Sequence, residues 1–180
     1  MKHFSAFKIV MTALFAALVC VATMVVQIPI TATGGYANLG DGIILVAAFL
    51  IHPLYAVLAA GLGSMLADLL AGYAAYAPAT LVIKAAVALV AALIFNRFGR
   101  GKGRGKALAA MIISAILAES LMVVGYFFYE AVILGMGMAA AAGIVGNMIQ
   151  GAVGIVVACI VAQVLRSSSE VVDLMDKTRR

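Results

Sequence analysis

The stretch IHPL, Ile51 to Leu54, interrupts an apolar run from about Gly42 to Leu70. Whether the chain turns there decides the fold. If the run is one helix, it crosses a membrane once. If it is two, every later segment changes sides. Pro53 favours a turn: proline suits the first turn of a helix and disfavours helical backbone in the residue before it. Charge agrees, because Lys and Arg accumulate at cytoplasmic ends. With a turn at His52-Pro53, eleven of the twelve basic residues fall at one boundary, in the Lys2/Lys8 head, the loop RFGRGKGRGK (Arg97 to Lys106) and the tail. Only Lys84 stays within a helix, and the three opposite loops carry neither Lys nor Arg. The expected fold is all-α: six transmembrane helices with both termini cytoplasmic.

Composition sets the class. Of 180 residues, 66% are hydrophobic and 11% charged, with mean hydropathy +1.20. That is too little charge to cover a soluble surface, and repeated apolar stretches of about 18 or more residues are the mark of membrane helices. The net charge of +5 does not point to nucleic acid. The basic loop has no aromatic platform beyond Phe98, and topology accounts for its charge, with anionic lipid or an acidic partner as a secondary contact. Cys20 and Cys159 lie inside apolar runs and read as small buried hydrophobes. The first apolar run, Ile9 to Val26, exceeds a signal-peptide core of about 7–15 residues, so it reads as a retained helix.

The organisation follows. A membrane domain covers 1–166, with an external loop at about 27–40 and a cytoplasmic basic loop at 97–106. Residues 167–180 form a short cytoplasmic tail, where Ser167 to Glu170 has a capping-box pattern. The helices are expected at about 5–26, 41–51, 53–70, 79–95, 107–134 and 139–165. The second is short. It rises about 15–20 Å against a hydrocarbon core of about 30 Å. It must therefore pack inside the bundle and leave a recess open to the outside. The stretch YANLGDG, Tyr36 to Gly42, lies over that recess.

Ionisable side chains inside a bilayer are costly and face the protein interior or a wet cavity. Here they are Asp41, Asp68, Lys84, Glu119 and Glu130. Asp68 and Lys84 fall at similar depth on adjacent helices, which fits either a buried ion pair or contact with a ligand. Asp41 begins the short helix, where it would cap free N–H groups. Glu119, Val123, Tyr126 and Glu130 follow i, i+4, i+7, i+11 and share one face. Glu119 reads equally as a protonated hydrogen-bond donor. Asn147 and Gln150 sit one turn apart on the last helix, where they could bond between helices or bind a ligand. Tyr36, Tyr73 and Tyr76 belong to external loops, as interfacial anchors or as stacking partners; Asn38 can reach down from its loop. Ala13 and Ala17, with Ala16 beside them, and the glycines at 143, 146, 151 and 154 allow close helix approach.

The chain has no phosphate loop and no HExxH. His3 and His52 lie at the cytoplasmic edge, away from the acids, so a catalytic or metal site is not expected and no cofactor is implied. No inverted repeat is visible to support autonomous transport.

Three stretches, YANLGD at 36–41, GLGSMLADLLAGYAAYAPATLVIK at 61–84 and NMIQGAVGIVVA at 147–158, resemble the substrate-binding S components of energy-coupling factor (ECF) vitamin transporters, of the riboflavin-type group. The resemblance implies a vitamin-binding protein in a prokaryotic cell membrane, with a lid over an external pocket. It also implies a transmembrane coupling subunit docking on Ala13 and Ala17, and two cytoplasmic ATPase subunits that hydrolyse ATP on its behalf. The substrate-binding set is then Tyr36, Asn38, Asp41, Asp68, Tyr76, Lys84, Glu119, Tyr126, Glu130, Asn147 and Gln150. The acids, Lys84 and amides suit a small polar heteroaromatic such as pyridoxine or hydroxymethylpyrimidine; riboflavin is the alternative. Outside this class stand a structural or assembly membrane subunit and a stand-alone ion-coupled carrier.

Overall fold

The computed structural model describes residues 6–179. Lys2, His3 and the expected helix start at Ser5 lie outside them. Six apolar helices form the bundle: α1 (Ala6–Val25), α2 (Gly40–Leu50), α3 (Pro53–Leu70), α4 (Ala77–Phe98), α5 (Arg104–Phe128) and α6 (Ala141–Arg166). A π-helical turn, Tyr129–Ile133, prolongs α5. A short helix α7 (Ser169–Asp176) follows. Five of the helices are long and apolar enough to cross a membrane, and α2 is the shorter apolar one.

The chain does turn at His52-Pro53. Ile51 and His52 are extended, with ψ of 178° and 141°, and Pro53 opens α3. The His52 ring nitrogen Nδ1 accepts the Leu54 N–H at 3.2 Å, which replaces an intrahelical bond that α3's first turn lacks.

The short helix is the centre of the bundle. It packs against α1, α3, α4 and α6, and all its residues except Ile43 are buried. At 11 residues it rises about 16 Å, so it is shorter than every helix it packs against in the bundle. Its lower carbonyls are taken by arginines from the basic end. Arg100 donates to the Phe49 and Leu50 carbonyls at 3.3 and 3.2 Å, and Arg179 donates to Ile51. Asp176 holds Arg100 at 2.8 Å, and the Thr178 hydroxyl accepts the His52 N–H at 3.1 Å. The tail is thus docked under α2 rather than merely exposed. The residue that caps α7 is Ser168, whose hydroxyl accepts the Val171 N–H at 3.4 Å, one residue beyond the predicted Ser167.

Small residues set the closest helix contacts. A Cβ on Gly63 of α3 would stand 2.5 Å from the Ala16 carbonyl oxygen of α1. Ala16 is half-buried, whereas Ala13 and Ala17 are exposed. On α6, a Cβ on Gly154 would meet the Asp41 Cβ at 3.0 Å, and one on Gly151 would meet the Glu119 Cβ at 3.0 Å. The outer faces of α1, α3, α5 and α6 carry exposed Leu, Ile, Val and Met, the surface a chain turns toward lipid rather than water.

The predicted lid loop contains a two-stranded hairpin. Strand β1 (Gln27–Ile30) pairs antiparallel with β2 (Gly35–Asn38), in the register Gln27↔Asn38 to Ile30↔Gly35. Gly34 turns the chain with φ of 70°, and the Thr33 and Gly34 N–H groups both bond the Ile30 carbonyl. Four-residue strands carry little periodicity, so sequence pattern alone reads them as loop. The loop at 97–106 is also shorter than expected, because α4 continues through Phe98 and α5 begins at Arg104.

Candidate functional site

Beneath the hairpin lies a cavity lined by Thr23, Ile30, Gly35, Tyr36, Asn38, Ser64, Asp68, Tyr76, Thr80, Lys84, Tyr126, Glu130, Asn147 and Gln150. The roof comes from β1 and β2 and the walls from α1, α3, α4, α5 and α6. Nine of the eleven residues predicted to bind substrate are among them; Asp41 and Glu119 are not.

Asp41 builds the floor. It is fully buried, and its Oδ1 accepts Lys84 Nζ at 2.6 Å. Its Oδ2 accepts Gln150 Nε2 at 2.5 Å. Lys84 also touches the Met122 sulfur at 2.9 Å and lies 5.5 Å from the centre of the Tyr126 ring. Three helices, α2, α4 and α6, are therefore tied at one carboxylate. This corrects two expectations. Asp41 does not cap α2: its position is inside the first turn, the residue preceding the helix is Leu39, and no side chain caps there. Asn38 Oδ1 instead accepts the Gly40 N–H at 2.8 Å. Nor does Lys84 pair with Asp68. The packing of α2 against α4 puts the Asp41 carboxylate against the ammonium, and Asp68 is left to the lid.

The hairpin is fastened by polar contacts. The Tyr36 hydroxyl donates to Asp68 Oδ1 at 2.6 Å, a length typical of a bond to a carboxylate. The Tyr36 ring lies 4.5 Å from that of Tyr73. The Asn38 N–H donates to Gln150 Oε1 at 2.7 Å. The Tyr76 hydroxyl is shared between the Thr33 carbonyl at 2.7 Å and Glu130 Oε1 at 3.2 Å. Tyr76 is buried, so it works as a strut under the hairpin turn rather than as an interfacial anchor. A two-stranded hairpin alone is marginal in water; these contacts hold it down. In this closed arrangement the cavity offers about 30 Å³ for water, room for about one or two molecules.

The α5 stripe divides by depth. Tyr126, whose hydroxyl bonds that of Thr80 at 2.9 Å, and Glu130 face the cavity. Glu119 lies two turns deeper, past the Asp41–Lys84 floor, in a separate groove between α5 and α6 with Val123, Asn147 and Gly151. Neither of its carboxyl oxygens has a hydrogen-bond partner. Sequence reasoning missed Thr23, Ile30, Gly35, Ser64 and Thr80. A signal existed for two of them: Ser64 precedes Asp68, and Thr80 precedes Lys84, by one helical turn.

Six apolar helices around a polar cavity roofed by a hairpin are the architecture of a multi-pass membrane protein with an internal binding site. The match to known proteins is specific: the family model of the S component of ECF-type riboflavin transporters covers residues 3–167, and the chain belongs to that family. A relative from Pyrococcus woesei, described as an uncharacterized protein in gap 3′ region, is 36% identical over 139 residues, 77% of this chain and 88% of its own. The solved S component of a bacterial ECF transporter superposes with a TM-score of 0.67 at 19% identity, covering 89% of this chain and 95% of the other. At that identity the likeness concerns the fold. Membership makes the chain a subunit serving vitamin uptake, and not itself an enzyme.

Proposed function

We propose that the chain captures a small heteroaromatic vitamin or vitamin precursor, of the size and polarity of pyridoxine or hydroxymethylpyrimidine, in the cavity under the β1–β2 hairpin. The observation that carries this reading is the lining itself: carboxylates, amides, hydroxyls and tyrosine rings around a small space in an otherwise apolar bundle. Polar groups that fix orientation and rings that stack are what a planar polar ligand needs. Tyr36 and Asn38 bind from the roof. Asp68, Tyr76, Lys84, Tyr126, Glu130, Asn147 and Gln150 bind from the walls, with Asp41 acting behind Lys84 and Gln150. Glu119 serves packing between α5 and α6.

The membrane domain is taken as 1–166 and the tail as 167–180. Uptake requires a transmembrane coupling subunit and two cytoplasmic ATPase subunits. The exposed pair Ala13 and Ala17 on α1 is the docking surface for the coupling subunit, since small residues let a partner helix approach closely. A second reading, riboflavin as substrate, is favoured by the family description. Mass spectrometry of ligand extracted from the purified protein decides between them: a yellow preparation containing flavin supports riboflavin, and a one-ring heterocycle supports the first reading. Failure to recover or bind any vitamin counts against both.

A further inference from the structure

The cavity's hydrogen-bonding capacity is unbalanced. Lys84 is the one cation among its described lining residues, and Asp41 already neutralises it at 2.6 Å. Asp68 and Glu130 are 4% and 3% exposed, line the cavity and have no cation of their own. One oxygen of each, Asp68 Oδ2 and Glu130 Oε2, has no hydrogen-bond partner, and neither has Ser64 Oγ. Tyr36 and Tyr76 already donate to the other oxygens of the two carboxylates. Thr80 lies beside Asp68 and shares a hydroxyl–hydroxyl bond with Tyr126 at 2.9 Å in which either oxygen can donate. Thr33 lies beside Glu130 but reaches toward the Ile30 carbonyl at 3.5 Å.

A buried carboxylate without a partner is costly and is normally matched by a cation or by donors. Building on the reading above that this cavity holds the transported solute, we infer that the solute is rich in hydrogen-bond donors and carries an amino group, which engages Asp68 Oδ2 and Glu130 Oε2. Phosphorylated and other anionic forms are excluded, because they would set like charge against two unneutralised carboxylates with no free cation to receive them.

The test uses the full chain in detergent micelles and a set of ring compounds that differ at one position. Pyridoxamine carries an amine where pyridoxine carries a hydroxyl, and pyridoxine 5′-phosphate is anionic. 4-Amino-5-hydroxymethyl-2-methylpyrimidine presents an exocyclic amine, and riboflavin serves as a neutral reference. Affinities are read by titration calorimetry, with Glu130→Gln and Asp68→Asn checked for retained thermal stability. The expected result is at least about tenfold tighter binding of amine-bearing compounds than of the hydroxyl analogue, and none of the phosphate. Either carboxamide variant narrows that preference to within about threefold. If pyridoxine or riboflavin binds as tightly as the amines, or if both folded variants keep the preference, the inference is overturned while solute capture stands. A neutral or anionic vitamin recovered from the purified protein has the same consequence. If no compound binds and nothing is recovered, solute capture itself is overturned.

Discussion

Lys84→Met tests the floor of the cavity most directly. Methionine keeps the length and packing of the lysine stem and removes only the ammonium. Asp41, fully buried, would then keep Gln150 as its one strong partner. Removing one member of a buried pair costs about 3–5 kcal/mol, because the charge left behind is uncompensated. The lost contact between the ammonium and the Tyr126 ring at 5.5 Å adds about 0.5–1 kcal/mol. For a chain of this length about 1 kcal/mol corresponds to about 2–4 °C, so the midpoint should fall by about 7–24 °C. The protein supplies its own reporter: Cys20 and Cys159 are free and buried, so a thiol-reactive dye reads unfolding. Adding Asp41→Asn should recover most of the loss, because the pair is then removed together. Asp68→Asn combined with Lys84→Met should instead be additive within about 0.5 kcal/mol. A single variant within about 2 °C of the parent, or coupling to Asp68 rather than Asp41, would refute the arrangement.

Gly63→Ala sets a Cβ 2.5 Å from the Ala16 carbonyl and 3.0 Å from Val19; forcing α1 from α3 should cost about 1–3 kcal/mol, read by the same dye assay. Ala13→Leu and Ala17→Leu should abolish vitamin uptake in cells while ligand binding by the purified protein survives; loss of both would remove the docking role. Burial, with repulsion from Arg179 and Lys8, holds the His52 imidazole below its ordinary 6.5. The unfolded chain therefore takes up the proton first, so this contribution is complete above 6.5 and lost as pH falls below it. Thermal stability should drop between about pH 7.5 and 5.5, and His52→Asn, which can still accept the Leu54 N–H, should reduce that drop.

Helix number and order were legible because Pro53 and the distribution of Lys and Arg are strong local signals. Depth along a helix was also legible, at 1.5 Å per residue, so the residues of the cavity wall could be named from α3, α4, α5 and α6. Partner choice was not. Asp68 and Lys84 sit at compatible depths, but the pair that forms depends on how α2 lies against α4, and no spacing encodes a packing distance. Asp41 at a helix start carries the pattern of a cap, yet a buried ammonium and a carboxamide compete for the same oxygens and win, because burying them unpaired would cost more than a missing cap. The hairpin was illegible for a related reason: its four-residue strands are held by Tyr36, Tyr76 and Gln150, contacts remote in sequence. The role of Arg100 lay hidden inside a basic loop whose charge topology alone explained.

Because α2 is fastened by charged groups at both ends, it behaves as a ruler of fixed length. Asp41 is clamped by Lys84 and Gln150 above, and the carbonyls of Phe49, Leu50 and Ile51 are clamped by Arg100 and Arg179 below. One residue inserted or deleted between them would shift one end by about 1.5 Å and turn it by about 100°, taking either the carboxylate or the carbonyls out of reach. Variation in length among relatives of this chain should therefore avoid the interval from Asp41 to Ile51, and an engineered insertion there should uncouple the cavity floor from the tail beneath it.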